Sequence, residues 1–349
     1  MIMNNLYAQK VEVLLKIIPI IAGEECFAIH GGTAINLFVK NLPRYSIDID
    51  LTYIPLEDRN TSITNINNRL VAIAEKTKKS LKGVHITHRP DSCKLLCEYM
   101  GKQIKIEVNQ TKRGIVGGSI VTLPLCEKAQ EQFGLYCEAN IVPVSLLYGG
   151  KVAAALSRQH PRDLFDVKYM NVDIDNIKPE FIFCLLGSDR PIRESFAPHL
   201  IDQRDAMLNQ FVGMTDVGFD YSAFEETRRN LIKSVNEVLT NEDKLFLIAF
   251  ESGEPNWEVS EYDSFKNYPS IQWKQLNIQK LKKSNPAKWQ EEIEKFKQVL
   301  CHLAFNILSI MAILIFFANS RLKSEFANFF CGDLNQCLPE TQIHSFNAD

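Results

Sequence analysis

The chain has 349 residues, of which 46% are hydrophobic and 23% charged, and its formal net charge is −3. This balance is typical of a globular protein with a sizeable core, and the length allows two domains. The small negative charge argues against a protein that coats nucleic acid nonspecifically, but it leaves room for a local basic surface. Nine scattered cysteines without any C-x-x-C pair predict reduced thiols and a cytoplasmic location.

The first part of the chain mixes helices and strands. Apolar residues recur at helical spacing from Leu6 to about Ile21, and CFAIH predicts a short strand that ends at Gly31. TAINLFVK then predicts a helix, which Thr33 can cap with its hydroxyl. The segment NLPRYS reads as a loop, and the strict alternation of IDIDLTYI predicts a strand.

The next segments contain a helix and three strands, and the chain after them is predicted to be helical. Residues 57 to 82 predict a helix, followed by three strands in VHITHR, CKLLCEYM and QIKIEVNQ. Two helices interrupted at Pro161 come after Pro143, and every strong segment from there to about Leu300 is helical. The pattern predicts an α+β protein, with a mixed sheet and flanking helices in residues 1–142 and an all-helical domain in residues 143–300.

The last fifty residues, about 301–349, have a different composition. Leu303 to Ala318 is a sixteen-residue apolar run, slightly short for the roughly twenty residues that span a bilayer. A buried or oligomer-packing helix is favoured because Asn306 is unfavourable in lipid, while a membrane anchor and an extension outside the main fold stay open.

An acid pair raises the central question of function. Asp48 and Asp50 lie two apart in a predicted strand, so both carboxylates project from one face while Ile49 and its neighbours fill the other. Two carboxylates within roughly 7 Å repel each other, and burying them without compensation is costly. A divalent cation, Mg²⁺ or alternatively Mn²⁺, is the simplest compensation. Solvated acids on an edge strand are the alternative.

A glycine pair precedes the acid pair. Gly31 and Gly32 stand at a strand-to-helix turn, where glycine allows close backbone approach and the helix start offers free N–H groups to a phosphate. Each feature alone is weak evidence. Together, the glycine turn and the acid strand predict a phosphate site beside a metal site.

These residues resemble a known family. The combination resembles the DNA polymerase β-like nucleotidyltransferase superfamily, and HGGTAINL with LPRYSIDIDL is similar to the AbiEii/AbiGii-type toxin nucleotidyltransferases of type IV toxin–antitoxin systems. The likeness covers roughly residues 20 to 300. It extends to KVAAALSRQHPRDLFD, which resembles a later motif of that branch.

The resemblance implies roles for individual residues. A third carboxylate is expected on a later strand, where Glu107 is preferred and Glu98 is the fallback. The implied metal ligands are Asp48, Asp50 and Glu107, and Lys151 and Asp166 join them as catalytic residues. The implied nucleotide-binding residues are Gly31, Gly32, Thr33, Arg44, Ser46, Arg158 and Arg162. Ordinary surface charges are the alternative for the lysine and arginines.

The resemblance also implies a reaction and its partners. A nucleoside monophosphate would move from an NTP to an acceptor hydroxyl by a two-metal mechanism, and a tRNA 3′ end is the favoured acceptor. Such a toxin would inhibit growth or phage propagation, and a cognate antitoxin is expected. Residues 271–300 hold seven Lys against three Glu, with Trp273 and Trp289 between them, which suits RNA contact or else a solvated helical face.

Two other functions stay open. The acceptor could be a small molecule or a protein side chain, or the protein could bind nucleotide without catalysis. Transfer assays with different acceptors, and nucleotide binding without turnover, distinguish these functions.

Overall fold

The computed structural model describes the backbone of residues 2–300 and the side chains from Leu6 onwards. Residues up to Trp289 form one compact unit, and residues 290–300 belong to a second unit. The predicted domain boundary near residue 142 falls inside the first unit and stays a prediction. The apolar run from Leu303 and the C-terminal tail lie outside the described residues.

A seven-stranded mixed sheet forms the N-terminal part of the described chain, in the order β3-β4-β5-β2-β1-β7-β6. Strand β2 pairs antiparallel with β1 and parallel with β5, and β1 pairs parallel with β7. The strands are β1 Phe27–His30, β2 Asp48–Tyr53, β3 His85–Arg89, β4 Lys94–Tyr99, β5 Lys102–Val108, β6 Val121–Pro124 and β7 Glu138–Ile141.

Helices flank the sheet and make up the regular structure after it. The helices near the sheet are α1 Ile2–Ala22, α2 Gly31–Ala34 with a π-helical continuation Ile35–Val39, α3 Arg59–Ser80 and α4 Glu127–Phe133. The later helices are α5 Val144–Arg158, α6 Pro161–Lys168, α7 Lys178–Leu186, α8 Arg193–Phe196, α9 Arg204–Ala206 with a π-helical continuation Met207–Phe211, α10 Tyr221–Glu237, α11 Asn241–Glu251 and α12 Pro269–Ser284.

One face of the sheet belongs to the core. Ile29 pairs with Leu51, and Ile49 pairs with Ile106, so all four side chains share that face, and all are almost completely buried. The helices α1 and α3 pack against the strands, and α1 contributes a row of buried residues that includes Leu14. Burial of this apolar face leaves the opposite face of β2 and β5 for polar side chains.

The main elements are confirmed by the structure. The α+β class, the strand around the acid pair and the helical character of residues 143–284 all agree with the prediction. Helices α5 and α6 are separated as expected, because Gln159 adopts a φ of +51° and Pro161 begins α6. The short elements β6, α4 and β7 were not predicted.

One local prediction is wrong. Thr33 does not cap α2, because the helix begins two residues earlier, directly after His30, without a side-chain cap. The Thr33 hydroxyl instead donates to the backbone carbonyl of Asp48, and it lies 3.1 Å from Oγ of Ser46, within hydrogen-bond distance. The hydroxyl therefore joins the start of α2 to the start of β2.

Two further observations concern the cysteines and the length and polarity of the helices. The cysteines at positions 26, 93, 97, 126, 137 and 184 are free thiols, as the sequence predicts. Across residues 2–300, no helix combines the length and apolar character needed to cross a membrane.

Candidate active site

The turn between β1 and α2 lies against the acid strand. Gly31 adopts a φ of +69°, in the left-handed region that glycine enters without a steric penalty. A Cβ atom on Gly31 would lie 2.6 Å from Oδ2 of Asp50. A Cβ atom on Gly32 would lie 2.8 Å from Nη2 of Arg44 and 2.9 Å from Oγ of Ser46. Both glycines therefore leave room for side chains that approach the turn.

The acid pair occupies the polar face of β2. Asp48 and Asp50 are both partly buried, and Ile49 between them points into the core. Within the described residues, neither carboxylate has a hydrogen bond or an ion pair from another side chain. Burial raises the pKa of Asp50, Lys105 opposes this increase, and the charge of Asp48 adds to it. The protein thus holds two nearby carboxylates with little direct compensation.

Glu107 lies directly beside this pair. In the parallel register of β2 and β5, Asp50 is opposite Glu107 and Asp48 is opposite Lys105. The two oxygens of Glu107 pair with Lys94 Nζ at 2.9 Å and with Lys105 Nζ at 2.7 Å. Although burial raises the pKa of Glu107, these lysines hold it below its usual value.

The fallback carboxylate is further away. Glu98 lies on β4, which is separated from β2 by β5, and its register partner is Gln103. Its side chain is exposed. The register therefore favours Glu107 over Glu98 as the third carboxylate.

A buried ionic network lies behind the glycine turn. Arg44 donates to both oxygens of Asp166, from Nε at 2.7 Å and from Nη2 at 2.5 Å. Lys151 Nζ lies 2.9 Å from Asp166 and 3.0 Å from Asp163. These four side chains are all buried. Two cations and two anions thus compensate one another where α5, α6 and the loop before β2 meet.

The pKa values in this network follow from the pairing. Burial alone would raise the pKa of Asp163, but Lys151 and then Arg158 lower it to about 2. Arg44 and Lys151 likewise hold the pKa of Asp166 below its usual value against the effect of burial. Burial lowers the pKa of Lys151, yet the charges of Asp166 and Asp163 raise it above its usual value. Asp163, Asp166 and Lys151 are therefore charged near neutral pH.

The network also reaches the helix that follows the turn. Asn36 Nδ2 donates to the carbonyl of Gly32 at 2.8 Å and to Oδ1 of Asp166 at 3.2 Å. Together with the guanidinium of Arg44, this contact fixes the second glycine of the turn. Asn36 and Asp163 were not among the predicted site residues, although Asp163 lies in the quoted RDLFD motif.

The structure brings most of the predicted residues together. The residues around the turn and the polar face of β2 are Gly31, Gly32, Thr33, Arg44, Ser46, Asp48, Asp50 and Glu107. Lys151 and Asp166 join this group through Arg44. Thr33, Arg44 and Ser46 are buried and have intramolecular partners, so their contact with nucleotide stays a prediction.

The two remaining arginines differ from the buried set. The Arg158 side chain is 62% exposed and pairs with Asp163 at 2.9 Å. Arg162 is partly exposed, and its backbone N–H donates to Nδ1 of His160 at 3.1 Å. Their predicted contact with nucleotide also stays a prediction.

His30 is a polar residue of the site that the sequence analysis missed. It is the register partner of Asp50, and its Nδ1 is buried without a hydrogen-bond partner in the described structure. Burial, together with Lys112 and Lys151, lowers the pKa of His30 to about 4. A neutral imidazole therefore stands beside the acid pair. The signal in the sequence was its position directly before Gly31.

The donor set fits a divalent cation in part. Asp48 and Asp50 offer carboxylate oxygens from one strand face, which are the ligands that Mg²⁺ and Mn²⁺ prefer. Across residues 2–300, no three His, Cys, Asp or Glu side chains are arranged to hold one ion. Both oxygens of Glu107 are instead held by lysines. The acid pair fits a metal site, and Glu107 completes it only if its carboxylate is released.

Comparison with known proteins identifies the family of the chain. The model of the family described as "Nucleotidyl transferase AbiEii toxin, Type IV TA system" matches residues 13–298. The chain therefore belongs to the AbiEii family of nucleotidyltransferase toxins of type IV toxin–antitoxin systems, as the sequence resemblance predicts. Among curated proteins there is no significant match.

A solved structure supports the fold. The chain is similar to MenT4, a nucleotidyltransferase toxin from Mycobacterium tuberculosis H37Rv, with a TM-score of 0.52 and 13% sequence identity. The similarity covers 69% of this chain and 87% of that chain. At this identity it shows the shared fold and confirms the α+β class.

The close approach at Gly31 gives a testable prediction. Gly31 and Gly101 both have a φ of +69°, but a Cβ on Gly101 would meet nothing within 4 Å. Gly101→Ala should cost about 1 kcal/mol of unfolding free energy because of backbone strain alone. Gly31→Ala should cost about 1 to 3 kcal/mol more, because its methyl group would lie 2.6 Å from Oδ2 of Asp50. Denaturant unfolding of both variants measures this difference, and equal costs would contradict the predicted collision.

The buried network predicts acid sensitivity. The pKa of Asp163 is about 2 in the folded protein against an ordinary value of 3.8, so its pairing stabilises the fold above pH 3.8. This contribution should disappear as the pH falls from 3.8 towards about 2. Denaturant unfolding across this pH range should show a steeper loss in the wild type than in Asp163→Asn. As a control, Glu131→Gln at an exposed carboxylate should leave the slope unchanged; equal slopes in all three proteins would contradict the prediction.

Proposed function

We propose that the protein transfers a nucleoside monophosphate from an NTP to the terminal hydroxyl at the 3′ end of a tRNA, with release of pyrophosphate, and thereby inhibits growth or phage propagation. The observation that supports this proposal is the acid pair on β2, unpaired within the described chain and adjacent to the Gly31 turn. Membership of the family supports an NTP substrate and a cognate antitoxin. A cytoplasmic location stays a prediction from the free thiols.

The proposed reaction assigns distinct tasks to the chain. Asp48 and Asp50 would hold the divalent cations, with Glu107 as the third ligand. Such cations neutralise phosphate charge and activate the attacking hydroxyl. Gly31 and Gly32 leave the backbone of the turn accessible for the β- and γ-phosphates, and the start of α2 favours a negative charge there.

The buried network would act by positioning. Lys151 already pairs with two carboxylates, and its partner Asp166 holds Arg44 against Gly32. In this proposal Lys151 and Asp166 maintain the turn that receives the triphosphate. Arg158 is different, because its largely exposed guanidinium pairs with Asp163 on one side and is open to an anion on the other.

Fewer lysines of residues 271–300 are available for RNA contact than the sequence suggested. Lys274 pairs with Glu251, and Lys282 pairs with Glu254 and lies 4.7 Å from the Trp289 ring. Lys295 and Lys297 pair with glutamates of their own segment. In the described chain, Lys280, Lys283 and Lys288 are the lysines of this region without an acidic partner.

The face of α12 that supports RNA binding is defined by three side chains. Trp273, which is 47% exposed, Lys280 and Lys283 follow one another at intervals of seven and three residues. This spacing places them on one side of the helix. An aromatic ring with two unpaired ammonium groups suits contact with RNA bases and phosphates.

The acid pair gives a prediction for catalysis. Asp48→Asn or Asp50→Asn should lower transfer from labelled NTP to tRNA by at least about 100-fold, because metal-assisted charge stabilisation is worth several kcal/mol. Glu98→Gln, at the exposed fallback carboxylate, should retain activity. Parallel reactions with total RNA, proteins and small hydroxylated acceptors identify the acceptor class. Activity retained by folded Asp48→Asn and Asp50→Asn proteins would overturn the proposal, and NTP binding without any turnover would support a non-catalytic role instead.

The α12 face gives a prediction for tRNA binding. The double substitution Lys280→Gln/Lys283→Gln should weaken tRNA binding and reduce the slope of log affinity against log salt by about one to two, because two phosphate contacts are lost. Lys78→Gln/Lys79→Gln removes the same charge from the exposed end of α3 and serves as the control. Fluorescence anisotropy at several salt concentrations measures both, and equal losses would contradict a specific role of α12.

A further inference from the structure

Lys105 places a positive charge beside the acid pair, where a bound metal ion would otherwise supply it. It lies on the polar face of the sheet opposite Asp48, and its Nζ lies 2.7 Å from Oε2 of Glu107. The other oxygen of Glu107 is held by Lys94 at 2.9 Å. Each oxygen of the third carboxylate therefore has an ammonium partner within the protein.

The two lysines are not equivalent. Lys105 lies on β5, next to the acid strand, whereas Lys94 lies on β4, one strand further away. Although burial lowers the pKa of Lys105, its hydrogen bond to Glu107 and the charges of Asp48, Glu107 and Asp50 raise it above its usual value. Lys105 also opposes the increase in the pKa of Asp50 that burial causes. It is thus the lysine that compensates both the acid pair and Glu107.

We propose that Lys105 is a positioning residue that competes with the divalent cation for Glu107, so that Glu107 becomes a metal ligand only when the Lys105 ammonium moves away. The inference rests on the proposed function, because it assumes that a cation binds the acid pair. A carboxylate oxygen held at 2.7 Å by an ammonium is not free to enter the coordination sphere of an ion.

The phosphate groups of an NTP could pair with the displaced Lys105 ammonium. An NTP bound at the Gly31 turn would bring phosphate oxygens towards the acid pair, and Lys105 can pair with them once Glu107 has turned to the metal. Nucleotide and metal would then help each other to bind, because each removes part of the cost of separating Lys105 from Glu107. By linkage, the effect on the two affinities is equal.

Binding of Mn²⁺ alone to the full-length protein tests the competition. Mn²⁺ is titrated in the absence of nucleotide, and the free ion is measured by electron paramagnetic resonance. Lys105→Met should lower the Kd for Mn²⁺ by about tenfold or more, since it releases an oxygen of Glu107 to act as a third carboxylate ligand. Lys94→Met is the matched control: it removes the same charge from the same carboxylate but leaves Lys105 in place. It should change the Kd by less than about threefold.

A double substitution tests whether Glu107 carries the effect. If Lys105 acts by withholding Glu107, then Lys105→Met should not tighten Mn²⁺ binding in a Glu107→Gln background. Lys105→Gln serves as a second variant, and circular dichroism checks that each protein is folded. An unchanged or weaker affinity in both Lys105 variants overturns the inference. So does a gain of the same size in the Glu107→Gln background.

The same titration separates this inference from the proposed function. Three results together overturn the inference alone: the wild type transfers nucleotide, Asp48→Asn no longer binds Mn²⁺, and Lys105→Met binds Mn²⁺ no more tightly than the wild type. Absence of Mn²⁺ binding in the wild type and in every variant overturns the metal site and the inference together.

Discussion

The site depends on the buried ionic network around Asp166. Removing four charged side chains from water is costly, so this arrangement persists only because each charge has partners of opposite sign. Arg44 comes from the loop before β2, whereas Lys151 and Asp166 come from α5 and α6. The network therefore joins the sheet to the helices, and it places the Arg44 guanidinium directly against Gly32.

Packing of the apolar core explains why the acid pair points where it does. The apolar side chains of β2 and β5 must face the core, and strand alternation then places Asp48, Asp50 and Glu107 on the opposite face. The parallel register brings Glu107 beside Asp50. The turn at Gly31 approaches the same carboxylate so closely that a Cβ there would lie 2.6 Å from its Oδ2. Packing of the core thus fixes the geometry of the polar face.

The sequence predicts the parts of the site that depend on local periodicity. Alternation in IDIDLTYI and QIKIEVNQ predicts which side chains share a face, and the glycines predict the turn. Contacts between distant segments have no such signal: Arg44 and Asp166 are 122 positions apart. The helix cap assigned to Thr33 was wrong because α2 already begins at Gly31, and the Thr33 hydroxyl bonds to the distant Asp48 carbonyl instead. The pairing of Lys105 with Glu107 was visible only as a two-residue spacing within one strand.

The acid pair requires compensation whether or not a metal is bound. A strand face made only of carboxylates would destabilise the fold through repulsion and desolvation, since the pKa of Asp50 is already raised by burial. Lys105 relieves part of this cost within the chain, because it pairs with Glu107 and opposes the shift at Asp50. The same ammonium lowers the affinity of the face for a dication. Stability in the absence of metal and tight metal binding therefore make opposite demands on one lysine. A nucleotide that attracts this lysine reconciles the two demands, because it frees Glu107 only when substrate is present.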